Sequence, residues 1–158
     1  MKNFTLHNSY WLIIILVFVI VACDTSTIYR KDESIEDKTW NYNKIIKFNV
    51  PINDTTEKYN FFINIRNSAD YSFMNLFVFM TTLYPDGNLS KDTIEFILAR
   101  PNGKWLGKGR NIIDNKILLK QNMTFKLAGT YSFEFMQAMR VNELKGIEDF
   151  GIQIETVK

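Results

Sequence analysis

Apolar and aromatic side chains recur at every second position in several separate stretches: Ile46, Phe48 and Val50 after Tyr42; Tyr59, Phe61, Ile63 and Ile65; Ile94, Phe96 and Leu98; and Tyr131, Phe133 and Phe135. A period of two sets alternate side chains on one face of a pleated strand, so each stretch predicts a strand with one buried face. The run from Tyr71 to Tyr84 is almost continuously apolar. Its Phe, Tyr, Val and Thr content favours a central strand covered on both faces over the competing helix. A last strand is expected over Phe150 to Val157, and turn residues such as Pro51-Ile-Asn-Asp54 and Pro85-Asp-Gly87 punctuate the runs. Asn102-Gly103 predicts a hairpin closed by a type I′ turn, between a strand ending near Ala99 and one starting at Lys104. About seven to nine short strands of this kind predict an all-β, antiparallel sandwich of jelly-roll or immunoglobulin-like type, as a single domain over residues 40–158.

The N-terminal residues follow another logic. Lys2 and a polar stretch precede an uninterrupted apolar run from Tyr10 to Ala22. A spanning helix needs about 20 residues, so this run fits the core of a signal peptide better than an uncleaved anchor. It ends in Ile20-Val21-Ala22-Cys23, which resembles the lipobox of bacterial lipoproteins. Such processing attaches diacylglycerol to the cysteine, cleaves before it and acylates the new amine. On that reading residues 1–22 are a signal peptide, Cys23 is lipidated, and the mostly polar residues 23–39 are a solvated tether. Each buried methylene of an acyl chain contributes about 0.8 kcal/mol, so several chains hold a domain at a membrane without a spanning helix.

Residue inventory restricts the chemistry. The only histidine is His7 and the only cysteine is Cys23, so a processed chain has no imidazole and no free thiol. Ser-His-Asp triads, Cys-His pairs and the usual zinc sites are thereby excluded. A formal net charge of +2, with Lys2 in the removed segment, gives no electrostatic case for nucleic acid. Glu95, Glu134, Glu148 and Asp149 could in principle supply a glycosidase pair, but solvated roles are expected of them. Asp86-Gly-Asn-Leu-Ser-Lys-Asp92 has Lys91 where a calcium loop needs glycine and Ile97 where it needs glutamate. Gly103-Lys-Trp-Leu-Gly-Lys-Gly109 is one residue short of a phosphate loop. No enzyme activity, cofactor or metal is therefore expected. Trp40, Tyr42, Tyr71 and Trp105 could form an aromatic platform for a glycan, with core packing as the competing role. The loop Arg100–Arg110 is the candidate interaction surface: Trp105 stands among Lys104, Lys108 and Arg110, with Gly103, Gly107 and Gly109 available for close backbone approach.

Three blocks carry a resemblance. They are Tyr59-Asn-Phe-Phe-Ile-Asn-Ile-Arg-Asn67 with Asn75-Leu-Phe77; Asp92-Thr-Ile-Glu-Phe-Ile-Leu-Ala99 with Gly103-Lys-Trp-Leu-Gly-Lys-Gly109; and Gly129-Thr-Tyr131 with Gln137-Ala-Met-Arg140 and Gly146-Ile147. With the lipobox, they resemble the GldH family of gliding-motility lipoproteins of Bacteroidota over nearly the whole mature chain. Arg100 stands where family members usually carry an acid, which changes loop charge. The resemblance implies a lipid-anchored envelope protein, placed at the outer membrane, with protein partners in the gliding and type IX secretion apparatus. It supplies no catalytic residues. Asp54-Thr55-Thr56 and Asp92-Thr93-Ile94 resemble the phylum's O-glycosylation pattern and mark Thr55 and Thr93 as candidates. The expected function is that of a non-enzymatic scaffold or interaction subunit; the alternative is a glycan-binding surface lipoprotein.

Overall fold

The computed structural model describes residues 26–157. Cys23 and the apolar run before it lie outside these residues. Eleven strands form: β1 Thr27–Ser34, β2 Thr39–Asn41, β3 Ile46–Ile52, β4 Tyr59–Ser68, β5 Asn75–Leu83, β6 Leu89–Ile97, β7 Lys108–Gly109, β8 Ile112–Met123, β9 Gly129–Gln137, β10 Glu143–Lys145 and β11 Ile147–Thr156. One 3₁₀ turn, Glu36–Lys38, is the sole helical element among the described residues.

Two antiparallel sheets pack face to face, as the alternation requires. The first has the order β1-β11-β4-β8-β7 and the second β3-β9-β5-β6, while β2 and β10 form a small separate pair. β3 shows the principle in its simplest form: Ile46, Phe48, Val50 and Ile52 are buried and the residues between them are exposed. Across the core, rings from opposite sheets meet. Phe61 of β4 contacts Phe133 of β9 at 5.0 Å between centroids, and Phe135 of β9 contacts Phe150 of β11 at 4.9 Å. Trp40 then closes over Phe150 at 5.1 Å, its indole N–H donating to the Lys44 carbonyl at 2.9 Å.

Strand direction gives the sandwich two distinct poles. The N-terminal pole holds the start of β1, the end of β11, the loop 53–58, the hairpin 84–88 and the segment 124–128. The opposite pole holds residues 35–45, 69–74, 98–111 and 138–146.

Two expectations change. Residues 27–34 are not a solvated tether, because β1 pairs with β11 from Thr27↔Glu155 to Ser34↔Asp149. The backbone ladder builds this edge strand while Arg30, Lys31, Asp32 and Glu33 keep its side chains in water, so no apolar period marks it. The packed domain therefore begins at about residue 26 rather than at Trp40. The second change concerns β5, which is covered on one face only. Leu76, Val78 and Met80 are buried, whereas Phe79 is 46% exposed.

Because Phe135 touches both Phe48 and Phe150, truncating it opens a cavity between the sheets. Phe135→Ala is expected to lower stability by about 3–5 kcal/mol in urea denaturation.

Candidate interaction surface

The loop singled out by sequence is a tight, internally bonded hairpin at the opposite pole. Leu98 and Ala99 both donate backbone N–H to the Met74 carbonyl, at 2.8 and 2.9 Å. Ala99 then bridges Trp105, Arg100 N–H donates to Lys104 at 2.9 Å, and Gly103 N–H donates to Arg100 at 2.8 Å. The turn itself differs from the expected type. Only Gly103 has positive φ (80°), so Pro101 and Asn102 are the central pair and Gly103 follows them. Proline presets φ near −65° at the first central position, which excludes the type I′ geometry and selects a three-residue loop ending on glycine.

Trp105 is half-buried. Its ring lies 6.5 Å from that of Tyr71, which is itself buried, stacks edge-on with Phe73 at 5.6 Å and donates its hydroxyl to the Asn75 carbonyl at 2.9 Å. Burial pushes the Tyr71 phenol far above its ordinary pKa. Lys104, Lys108 and Arg110 are exposed cations of the same loop. The glycines serve the fold rather than an approaching partner. A Cβ at Gly107 would strike the Asp114 carbonyl and the Asn115 side chain, and one at Gly109 (φ 136°) would overlap the Ile112 carbonyl.

Beneath Gly107 sits a pair of buried amides for which sequence gave no signal. Asn115 Nδ2 donates to Asn67 Oδ1 at 2.9 Å and to the Ile65 carbonyl at 3.0 Å, while Asn67 donates to the Ser68 carbonyl at 2.9 Å. Buried amides are retained only when bonded, and these tie the loop's floor to β4.

The supposed aromatic platform does not assemble. Trp40 and Tyr71 are buried in the core, Trp105 is half-buried, and only Tyr42 is exposed. The carboxylates have structural partners. Glu95 accepts from Asn75 at 2.6 Å, Glu134 pairs with Lys47 at 2.9 Å, and Glu148 pairs with Lys38 at 2.8 Å. Asp149 takes Arg66 at 2.7 Å and the Ser34 hydroxyl at 2.6 Å. Among the described residues no group of three or more His, Cys, Asp or Glu could hold a metal ion. Thr55 is half-buried in the loop after β3, where the Asp54 carboxylate accepts from the Thr56 hydroxyl and N–H, both at 2.7 Å. Those bonds hold the Asp54 carboxyl below its ordinary pKa. Thr93 is exposed on β6, directly opposite Phe79.

What sequence missed is the outer face of the second sheet. Phe79 and Ile97 (51% exposed) stand on it with half-buried Phe77 and Met136, and exposed Ile45 and Tyr42 adjoin the start of β3. Phe79 is paired directly with Met136 across β9. A shallow depression lined by Tyr42, Phe79, Met136, Met139 and Val141 lies in the same area. The first sheet's outer face contrasts with it, carrying the ion pairs Arg66–Asp114 and Arg66–Asp149, at 2.9 and 2.7 Å, and Lys116–Glu155 at 2.7 Å. On that first face the apolar pair Phe62 and Leu118 sits among charges, with Lys116 over the Phe62 ring, whereas the second face carries the broader apolar patch, the usual mark of an interaction site.

Comparison with known proteins identifies the lineage. The GldH lipoprotein family model matches residues 27–154. The chain belongs to the GldH lipoprotein family. Among its relatives, a gliding motility lipoprotein GldH homolog of Christiangramia forsetii is 36% identical, the match covering 94% of this chain and 97% of that protein. Gliding motility lipoprotein GldH of Flavobacterium johnsoniae is 31% identical over 91% of this chain and 94% of that protein. Solved structures resemble this GldH chain only loosely. The infectious bursal disease virus Gx strain structure gives a TM-score of 0.39 at 13% identity, covering 85% of this chain and 34% of the viral one. Dimeric latent PorU from Porphyromonas gingivalis gives 0.27 at 10% identity, covering 85% and 14%. The GldH chain is thus a lipid-anchored envelope protein associated with gliding motility, built as a β-sandwich.

The space around Gly103 is open, so a side chain there meets only backbone strain. Gly103→Val is expected to lower stability by about 1 kcal/mol or more, read as a reduced denaturant midpoint.

Proposed function

We propose that this protein is a non-enzymatic scaffold of the gliding and type IX secretion-associated apparatus, anchored at the outer membrane through acylated Cys23. It binds an envelope protein through the outer face of its second sheet and the adjoining loop 100–110. One observation carries the reading: β5 is apolar on both faces, yet its own fold covers only one. A strand of that composition is ordinarily sandwiched on both sides, and a partner supplies the missing layer. The exposed anchors Phe79 and Ile97 have the size and flatness of interface hot spots, and Leu106 with Lys104, Lys108 and Arg110 extends the surface toward the loop.

Cys23 is the anchor because the family is one of lipoproteins and the chain has a single cysteine. The absence of histidine and thiol from residues 24–158 and the pairing of the carboxylates support a binding role. The glycan-binding alternative loses its support with the burial of Trp40 and Tyr71. Thr93, opposite Phe79, stays unmodified if that face is occupied, which leaves Thr55 as the O-glycosylation candidate.

Two measurements test this. Phe79→Arg is expected to abolish crosslinking to the envelope partner in native cells, because a lost hot spot weakens binding by about 2 kcal/mol or more. Its melting temperature should stay close to wild type, as surface changes usually remain within about 0.5 kcal/mol. Retained crosslinking rejects the face. Cys23→Ala is expected to leave the precursor uncleaved or to move the protein out of the membrane fraction; an unmodified Cys23 in the mature protein, read by mass spectrometry, rejects the anchor.

A further inference from the structure

A cavity of about 720 Å³ opens between the sheets at the N-terminal pole, on the side where β6 and β8 are not paired to each other. Its origin is local. Tyr59↔Met123, Phe61↔Lys120 and Phe62↔Leu118 show two register shifts, each adding a residue to β8, and Asn122 takes a positive φ of 52°. Such bulges bend a strand and end its regular pairing, so the edge of the first sheet departs from β6. The floor is apolar: Phe61, Met80, Met123, Phe125, Tyr131 and Phe133. Its walls carry opposite charges, with Asp86 and Asp92 on the second sheet's side and Lys120 and Lys126 on the first's. The Asp86 carboxylate accepts from Asn88, yet none of the four forms an ion pair among the described residues, although seven such pairs occur elsewhere.

The position of this cavity relative to the membrane follows from chain length. Three peptide units separate Cys23 from Ser26, whose carbonyl accepts from Thr156 N–H at the start of the β1–β11 ladder. They reach at most about 11 Å, so an acylated Cys23 holds the N-terminal pole against the bilayer. Leu127 lines the cavity at that pole, and Leu83 and Leu89 stand exposed on the second sheet's outer face at the same pole, Leu89 being 60% exposed. Exposed leucines at a membrane-facing surface fit the acyl boundary better than water.

We propose that the cavity takes a zwitterionic phospholipid from the anchoring membrane. One of its two acyl chains lies on the aromatic and methionine floor while the other stays in the bilayer, its ammonium faces Asp86 and Asp92, and its phosphate faces Lys120 and Lys126. The volume falls within the range of small-molecule sites, about 300–1,000 Å³. The anchor's own chains are a poorer occupant. β8 lies three strands from β1, about 14 Å across the sheet, whereas membrane lipid lies directly under the mouth. The inference rests on the Cys23 anchor proposed above.

The test uses the acylated full chain, reconstituted in phosphatidylethanolamine and phosphatidylglycerol vesicles doped with a phosphatidylethanolamine bearing a diazirine at one acyl end. After irradiation, mass spectrometry is expected to find the probe on Met80, Met123 or Phe133. Ile94→Trp and Leu119→Trp each fill the cavity from a different sheet, and each is expected to cut floor labelling at least tenfold at wild-type melting temperature. The same diazirine on phosphatidylglycerol, which lacks the ammonium, should label the floor at least threefold less. Labelling confined to the exposed leucines and residues 24–28, or unchanged in both filled variants, overturns the site, and equal labelling by the two probes overturns the head-group assignment. The mass of the Cys23 peptide in the same samples reports the anchor separately, so a missing lipid anchor is distinguished from an empty cavity.

Discussion

Contacts between aromatic rings of opposite sheets hold the molecule together. Phe61 on Phe133 and Phe135 on Phe150 each join a strand of one sheet to a strand of the other, and Trp40 seals the second contact at the opposite pole. Each ring removes a large apolar area from water, and a well-oriented pair adds about 0.5–1.5 kcal/mol beyond that area. Because neither sheet has another way to bury its inner face, strand register, loop placement and the separation of the two poles all depend on these contacts.

Beyond this core the two sheets divide their roles. The first carries a charged outer face, where Arg66 stands between Asp114 and Asp149, and the chain's first described strand, β1, at its edge. The second carries an apolar outer face centred on Phe79. Polar pairing keeps the first face compatible with water, so under the proposed function one molecule meets a membrane at a pole and a protein on a flank.

Legibility from sequence tracked the physics of burial. β3 and β9 were readable because one face of each is buried and the other wet, which imposes a period of two. β1 was not, since an edge strand that sets only Tyr29 against the core obeys no apolar period and is specified mainly by its ladder to β11. β5 was located but its surroundings were misjudged: apolar composition reports that a face needs cover and not which chain provides it. The turn at Asn102-Gly103 was placed correctly, while Pro101 one residue earlier decided its geometry. Trp105 was recognised as prominent, but its seat on Tyr71 depends on a residue distant in sequence. The bulges of β8 left no local mark, because Lys120-Gln-Asn-Met123 reads like any polar strand end.

The pairing of β1 with β11 bears on how the domain carries load. A pull applied to the chain ahead of Thr27 enters there and runs lengthwise along β1, and a hold on the second sheet resists it through the core. The ladder from Thr27↔Glu155 to Ser34↔Asp149 is then strained in shear, with its hydrogen bonds stretched together instead of peeled singly from one end. Under the proposed function, this makes the first strand a mechanical clamp between envelope and apparatus.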